Sequence, residues 1–506
     1  ADRAHRPLVG RSTGLASLIR SILRRLDAWW LRLSGRLDTP ANDKIIPWVV
    51  ALLLFISLAA LALARARSLE AGTGLAGWTQ AAWLISNFEA PESSLFGRNA
   101  FADQAAFVLL PIGVVARWVP VSNGLLVLQS AALAVGVVPV WRLARETNVL
   151  RLSATFVLAL AYCLYPAIHN LNLADFHPEA LAVPLLLAAA RYGVAQRWVW
   201  FTLFAVLAVL CRADLALAVA GLGAVIIVRG NRRAGAIVIG AGVAWAALSI
   251  WVIQPGFSDG VIPHVEAFAV FGDGPGGILW GMVSHPHVVL RELVTRTNFE
   301  TVVLLLAPVL FLPVFAPRHL FPVAPLMALY FVADVPADSP QQLAAATPFV
   351  FLATATALNR IGRPSMSQVM VPSRVLGALA IASVTFFLQY AASSPFETPW
   401  QWGGRDRDDL ARVAVVERVT DDDVAMVAPS VQPLLAEREG LHDLSPDALD
   451  EDLPDGLVVV VFDAQDTRWD EELAEELDER LEEEGFTRAY EAGPVVAWSR
   501  LFVGSD

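Results

Sequence analysis

Apolar residues run along this chain in long unbroken blocks. They show neither the alternation of a half-buried strand nor the narrow stripe of a surface helix. The blocks cover 46–64, 123–141, 152–168, 179–195, 198–211, 213–228, 234–253, 301–316, 319–333, 344–358 and 374–392. About 20 such residues cross a hydrocarbon layer roughly 30 Å thick, so each block predicts a membrane helix, with loosely set ends where it is short. A further stretch, 105–119, reads either as a span or as a helix lying on the membrane surface. Positive charge separates the two readings. The first 44 residues carry nine Lys and Arg, which predicts a cytoplasmic N-terminus. If 105–119 does not cross, the basic turns holding Arg142, Arg145, Arg151, Arg191, Arg197, Arg229, Arg318 and Arg360 all fall on that same side. The expectation is eleven spans, with 105–119 at the outer surface and the C-terminal end of the chain outside.

Composition agrees. Of 506 residues, 56% are hydrophobic and 17% charged, against about 25% charged in soluble proteins. Disordered chains, disulfide scaffolds and ordinary cytosolic enzymes are excluded. Cys163 and Cys211 lie in apolar runs and read as core filler. The net charge of −12 is unevenly placed. Residues 392–506 hold 9 Arg against 30 Asp and Glu, and the rest 28 basic against 19 acidic residues. The chain therefore divides into a cytoplasmic amphipathic segment (1–45), a transmembrane body (46–392) with outer loops 65–122 and 254–300, and an acidic extracytoplasmic domain (393–506). Within the first, 12–37 reads as an interfacial helix. In the last, Val413–Val419, Val424–Pro429, Leu457–Phe462 and Val495–Trp498 read as strands, and Gln432–Glu439 and Trp469–Glu484 as helices. This is a small α/β layer domain without a phosphate-binding glycine loop. No basic patch on it suggests nucleic acid.

The outer segments carry the candidate chemistry. In HNLNLADFHPE, Asp175, His177 and Glu179 alternate. Carboxylate, imidazole and carboxylate can hold a divalent cation such as Mg or Mn, and a carboxylate can serve as general base. Asp175 and Glu179 read equally as caps of the following helix, which has Pro178 in its first turn. Arg212 and Asp214, between two apolar runs, form either a polar turn or a phosphate site. His264, His285 and His287 read as solvated or structural.

The blocks AGWTQAAW, FADQAAF, NLNLADFHPEALAVPLLLAA, CRADLALAVAGLG, GDGPGGILWGMVSHP and VAPSVQPLLAEREGLHDL, in this order, resemble the bacterial and archaeal membrane family known as domain of unknown function 2079, over roughly 46–500. That layout is similar to the C-type (GT-C) glycosyltransferases, which take sugars from polyprenyl-phosphate carriers at the outer face of the plasma membrane. The resemblance implies a polytopic α-helical GT-C-like protein whose partners are membrane lipids and a polyprenyl-phosphate-linked sugar. It implies catalytic roles for Asp175, Glu179 and Asp103, and a metal at His177, Asp175 and Glu179. Substrate contacts would come from Arg212, Asp214, Asn170, Asn172, Arg98 and His264. Where relatives read D-L-G-x-F-D-Q, this chain has Gly74 to Gln80 without either acid. The relatives' Asp-His is Asp103-Gln104, their Lys-Glu-Asp is Arg212-Ala213-Asp214, and a His-rich stretch is Gln341-Gln342. These departures sustain an alternative, a catalytically inactive scaffold or subunit of a cell-envelope assembly, docking a protein through the acidic domain.

Overall fold

A computed structural model describes residues 37–262, 264–336, 339–365 and 368–500. The interfacial helix expected over 12–37 lies, but for Leu37, outside the described residues. The body is helical. Its first helix, Pro40–Arg67, begins where the Thr39 side chain accepts from the Asn42 N–H and Pro40 fits the first turn. Ala51, Leu54, Leu58 and Ala62 form its buried stripe, while Leu53 is 64% and Ile56 56% exposed. Large apolar side chains on the outward face suit hydrocarbon, not water. By length and composition, five helices among the described residues can cross a membrane: Pro40–Arg67, Val121–Thr147, Leu152–Leu173, Arg232–Gly256 and Ser373–Gln401. Trp198–Val209 and Leu215–Val228 are shorter apolar helices.

The helix Pro340–Ile361 is the centre of the body, with every residue from Gln342 to Leu358 buried. Its Thr347, Thr354 and Thr356 hydroxyls donate to carbonyls one turn back, which satisfies these three within the apolar interior. Leu215–Val228 and Arg232–Leu248 cross closely through glycines. A Cβ on Gly235 would lie 2.5 Å from the Gly223 carbonyl oxygen, the small-residue packing that membrane helices use.

The stretch 105–119 contains Leu109–Ala116, eight residues or about 12 Å of helix, too short to cross. The blocks 301–316 and 319–333 are not continuous. Arg296–Leu306 and Ala324–Val332 are joined by short turns, because Pro308, Pro313, Pro317 and Pro322 each remove a backbone donor.

The first helix has 28 residues, about 42 Å, and separates two ends of the body. At one, Arg145 pairs with Asp43 at 3.0 Å and Arg191 with Glu146 at 2.6 Å. At the other, the Arg67 carbonyl accepts from Arg405 and the Ser68 hydroxyl from the Gly403 N–H, which places the C-terminal unit there. That unit is built on a five-stranded sheet ordered Leu441–Asp443, Val424–Val427, Leu457–Asp463, Val495–Ser499, Thr487–Ala492. The first three strands are parallel and the last two pair antiparallel. One face packs on Val415 and Leu435, with Ala76 and Leu95 of the body. The other packs on Leu477, Leu481 and Trp469. The strand expected over Val413–Val419 is instead the end of helix Arg407–Val416, started by a reciprocal Asp406–Asp409 capping box. The helix expected over Gln432–Glu439 is shorter, Gln432–Leu435.

Candidate functional site

The site begins with a turn. Between Trp198–Val209 and Leu215–Val228 the chain passes through Cys211 to Asp214, and the short helix Ala100–Gln104 lies against it. Ala213 N–H donates to the Gln104 carbonyl and Val108 N–H to the Leu210 carbonyl, each at 2.9 Å. This brings two acidic segments together from positions about 110 residues apart. Arg212 is the hub. Its Nε donates to Asp214 Oδ2 at 3.0 Å and its Nη1 to Glu179 Oε1 at 3.3 Å. The Tyr330 hydroxyl donates to the same Asp214 oxygen at 2.9 Å. His177 Nδ1 lies 3.5 Å from Glu179 Oε1.

Asp103 forms the second arm. His264 Nε2 lies 3.1 Å and Arg98 Nη1 3.3 Å from its Oδ1, and Gln254 donates to its backbone carbonyl at 3.0 Å. Burial alone would raise the Asp103 carboxyl. The bond to His264 and the charges of His264, Arg98 and Arg212 outweigh burial and hold it below its ordinary value. Burial alone would likewise lower His177, but Glu179, with Asp175 and the Ala174 carbonyl, raises it above the ordinary histidine value. Asp103, Gln104, Arg212, Asp214, His264 and Tyr330 line one cavity of about 330 Å³, and Leu217, Ala246, Ile250 and Leu329 form its apolar wall. Gln104 Oε1, Asp214 Oδ1 and Glu179 Oε2 are buried acceptors without a hydrogen-bond partner.

Other expected site residues are placed elsewhere. Asp175 has φ +65°, and both its carboxylate oxygens accept from the Gly72 N–H at 3.1 Å. It stands at the N-terminus of the helix Thr73–Ser86, bonded to the N–H of the residue just before the first turn, where the helix dipole favours a carboxylate. The Asp175, His177, Glu179 set is therefore corrected. The chain turns at Asp175, its carboxylate faces another helix, and Arg212 already lies against Glu179. Among the described residues no group of three or more His, Cys, Asp and Glu is arranged to hold a metal ion. Asn170 is tied through Oδ1 to the Ala392 N–H and through Nδ2 to the Tyr390 carbonyl. Asn172 accepts from Ser130 and donates to the Leu58 carbonyl. Both amides join helices and neither lines the Arg212 cavity; Asn172 lies instead with Asp175 along a small separate pocket beside Ala62 and Leu126.

Tyr330, Gln254 and Gln129 are polar residues the sequence reading passed over. Gln129 donates to the Asp175 carbonyl at 2.7 Å and accepts from the His177 N–H at 2.8 Å, fixing the turn that carries Asp175. A lone amide or phenol inside an apolar block is the signal that marks Gln129 and Tyr330.

The family described as "Predicted membrane protein (DUF2079)" matches residues 65–492. The chain belongs to this family. The crystal structure of ArnT from Cupriavidus metallidurans bound to undecaprenyl phosphate is similar in fold, with a TM-score of 0.54 over 92% of this chain and 100% of that chain, at 11% identity. At this identity the likeness is one of fold alone. This DUF2079 member is a multi-pass membrane protein with a GT-C-like fold. A search of curated proteins finds no match.

Proposed function

We propose that the protein is a polyprenyl-phosphate-sugar-dependent glycosyltransferase working at the outer face of the plasma membrane. The reading is carried by one observation: Asp103, Arg212, Asp214 and His264 meet in a single cavity that also has a wall from apolar helices. Such a cavity suits a ligand that is polar at one end and lipid at the other. Arg212 has five N–H donors, and among the described residues two of them, those to Asp214 and Glu179, have protein acceptors. The others hold the lipid phosphate. The unpartnered oxygens of Gln104 and Asp214 suit the hydroxyl donors of a sugar. In the reaction the acceptor oxygen bonds to the anomeric carbon as the bond from that carbon to the phosphate oxygen breaks. The hydroxyl proton passes to Asp103. The polyprenyl phosphate leaves with the electron pair, stabilised by Arg212. Because Asp103 is held acidic, proton transfer accompanies bond formation and does not precede it. No step is assigned to Asp175.

The test is transfer of labelled sugar from its lipid carrier to an envelope acceptor by reconstituted protein. Asp103→Asn should lower the rate by about 10²-fold or more while leaving lipid-phosphate binding in place. Full activity in that variant would remove Asp103 from the mechanism.

A second reading, a non-catalytic subunit, is favoured by Thr79 and Gly74, which stand where relatives carry acids. Thr79 is fully buried with its hydroxyl unpartnered, and Gly74 has no side chain to offer a proton acceptor. A stable stoichiometric partner copurifying from native membranes, with no turnover on any lipid-linked sugar, would select this reading.

A further inference from the structure

A second cavity of about 1000 Å³ opens at the end of the body remote from the C-terminal unit and runs chiefly between two helices as far as Val108 and Ile112. Leu128, Val135 and Pro139 line it from Val121–Thr147, and Leu181, Pro184 and Ala188 from Pro178–Val194. From Leu128 to Arg142 the groove follows fourteen residues of helix, about 21 Å, more than half the hydrocarbon thickness. Its wall is apolar until the last turns, where Lys44, Arg142, Arg191 and Glu146 gather.

The charge of that rim is unbalanced. Arg191 Nη2 lies 2.6 Å and Arg142 Nη1 3.6 Å from the single Glu146 carboxylate. Lys44 has no ion-pair partner among the described residues. Three cations therefore face one anion at the mouth of a groove lined by hydrocarbon. Tyr192 extends the rim, with the Arg191 guanidinium 4.6 Å over its ring, and Trp48 stands beside it, 54% exposed. Aromatic rings at this depth belong at the headgroup level. Basic residues concentrate at the cytoplasmic side of membrane proteins, so this end faces the inner leaflet.

We infer that the groove is a binding site for an anionic phospholipid of the inner leaflet, with acyl chain along Val135, Pro139 and Pro184 and the headgroup phosphate held by Arg142, Arg191 and Lys44. Charge complementarity selects this occupant. A zwitterionic lipid brings its own cation to a rim already rich in cations. A sugar without a chain has no use for the apolar wall. Basic pockets between helices on the cytoplasmic side are sites for anionic lipid headgroups. The site is separate from the cavity around Arg212 and independent of any transferase activity.

The test is native mass spectrometry of the full chain, purified in detergent and supplied in turn with phosphatidylglycerol and phosphatidylcholine. Phosphatidylglycerol should stay bound at detergent concentrations that strip phosphatidylcholine. Each cation removed near the headgroup should weaken retention about five-fold, so K44Q/R142Q should lose about twenty-five-fold. Glu146→Gln removes the competing anion and should raise retention. Ala188→Phe fills the apolar wall with no change of charge and should abolish it. These last two keep the test decisive if the arginine variants fold poorly. Equal retention of the two lipids, or retention unchanged in both E146Q and A188F, would overturn the proposal. So would displacement of phosphatidylglycerol by an equal amount of polyprenyl phosphate.

Discussion

Replacing Arg212 by Met is the sharpest test of how the site is held. The guanidinium lies between Asp214 at 3.0 Å and Glu179 at 3.3 Å, and the three side chains are 12%, 21% and 2% exposed. Methionine fills much of the volume but leaves the two carboxylates, Glu179 almost wholly buried, without the cation between them. Glu179 would keep only His177, at 3.5 Å. Removing one partner of a buried pair costs about 3–5 kcal/mol, most of it from the charge left without compensation. Asp214 retains the Tyr330 hydroxyl and more solvent, so Glu179 carries the larger share. Neutralising all three groups together removes the uncompensated charge, and replacing a whole buried cluster is often nearly neutral. Unfolding in detergent, followed by circular dichroism against denaturant, should show R212M less stable by about 3–5 kcal/mol and R212M/E179Q/D214N recovering most of the loss. An R212M protein within about 1 kcal/mol of the parent, or a triple variant no better than the single one, would refute the buried-hub account.

Other outcomes follow from the same contacts. Asp175→Asn should cost about 0.5–2 kcal/mol by weakening the contact at the N-terminus of Thr73–Ser86 yet leave sugar transfer intact; loss of transfer with unchanged stability would return Asp175 to the chemistry. Because His177 is raised in the folded state, its stabilising contribution is fully present below the ordinary histidine value of 6.5. It is lost as pH climbs through the raised value, so the melting midpoint should fall over that window and His177→Asn should flatten the profile. Gln80 Nε2 donates to the Glu439 carbonyl at 2.9 Å and to Ser94 Oγ at 2.8 Å, tying the C-terminal unit to the body. Gln80→Ala should cost about 1–3 kcal/mol and speed limited proteolysis in the connecting segment 399–405; unchanged cleavage would show that the apolar contact at Ala76 and Leu95 suffices.

Much of the body was legible because hydrocarbon imposes one demand on every span, and blocks such as 46–64 and 374–392 meet it plainly. The region 301–333 was not, because its composition is as apolar as a span while its prolines break the helix, and composition does not register a missing N–H. RVAVVERV over 412–419 reads as a strand by alternation. The decisive signal lies upstream, where Asp406 and Asp409 start a helix that buries Ala411 and Val415 on one face. In the site, Arg212 and Asp214 announced themselves as charges between apolar blocks, and Asp103 as an acid in an outer loop. For Asp175 the alternation D-x-H-x-E left a cation site and a cap on the following helix both open. A left-handed backbone at Asp175 sends its carboxylate to Gly72 instead, a turn no spacing rule reveals.

The proposed transfer requires a lipid phosphate to sit in the cavity around Arg212. A cryo-electron microscopy structure of the protein with polyprenyl phosphate decides this. The account predicts phosphate density about 3 Å from the Arg212 guanidinium, beside Asp103 and His264, with the chain leaving along Leu217 and Ile250. Lipid density confined to the outer belt of the helices, with none at the Arg212 guanidinium, would contradict it.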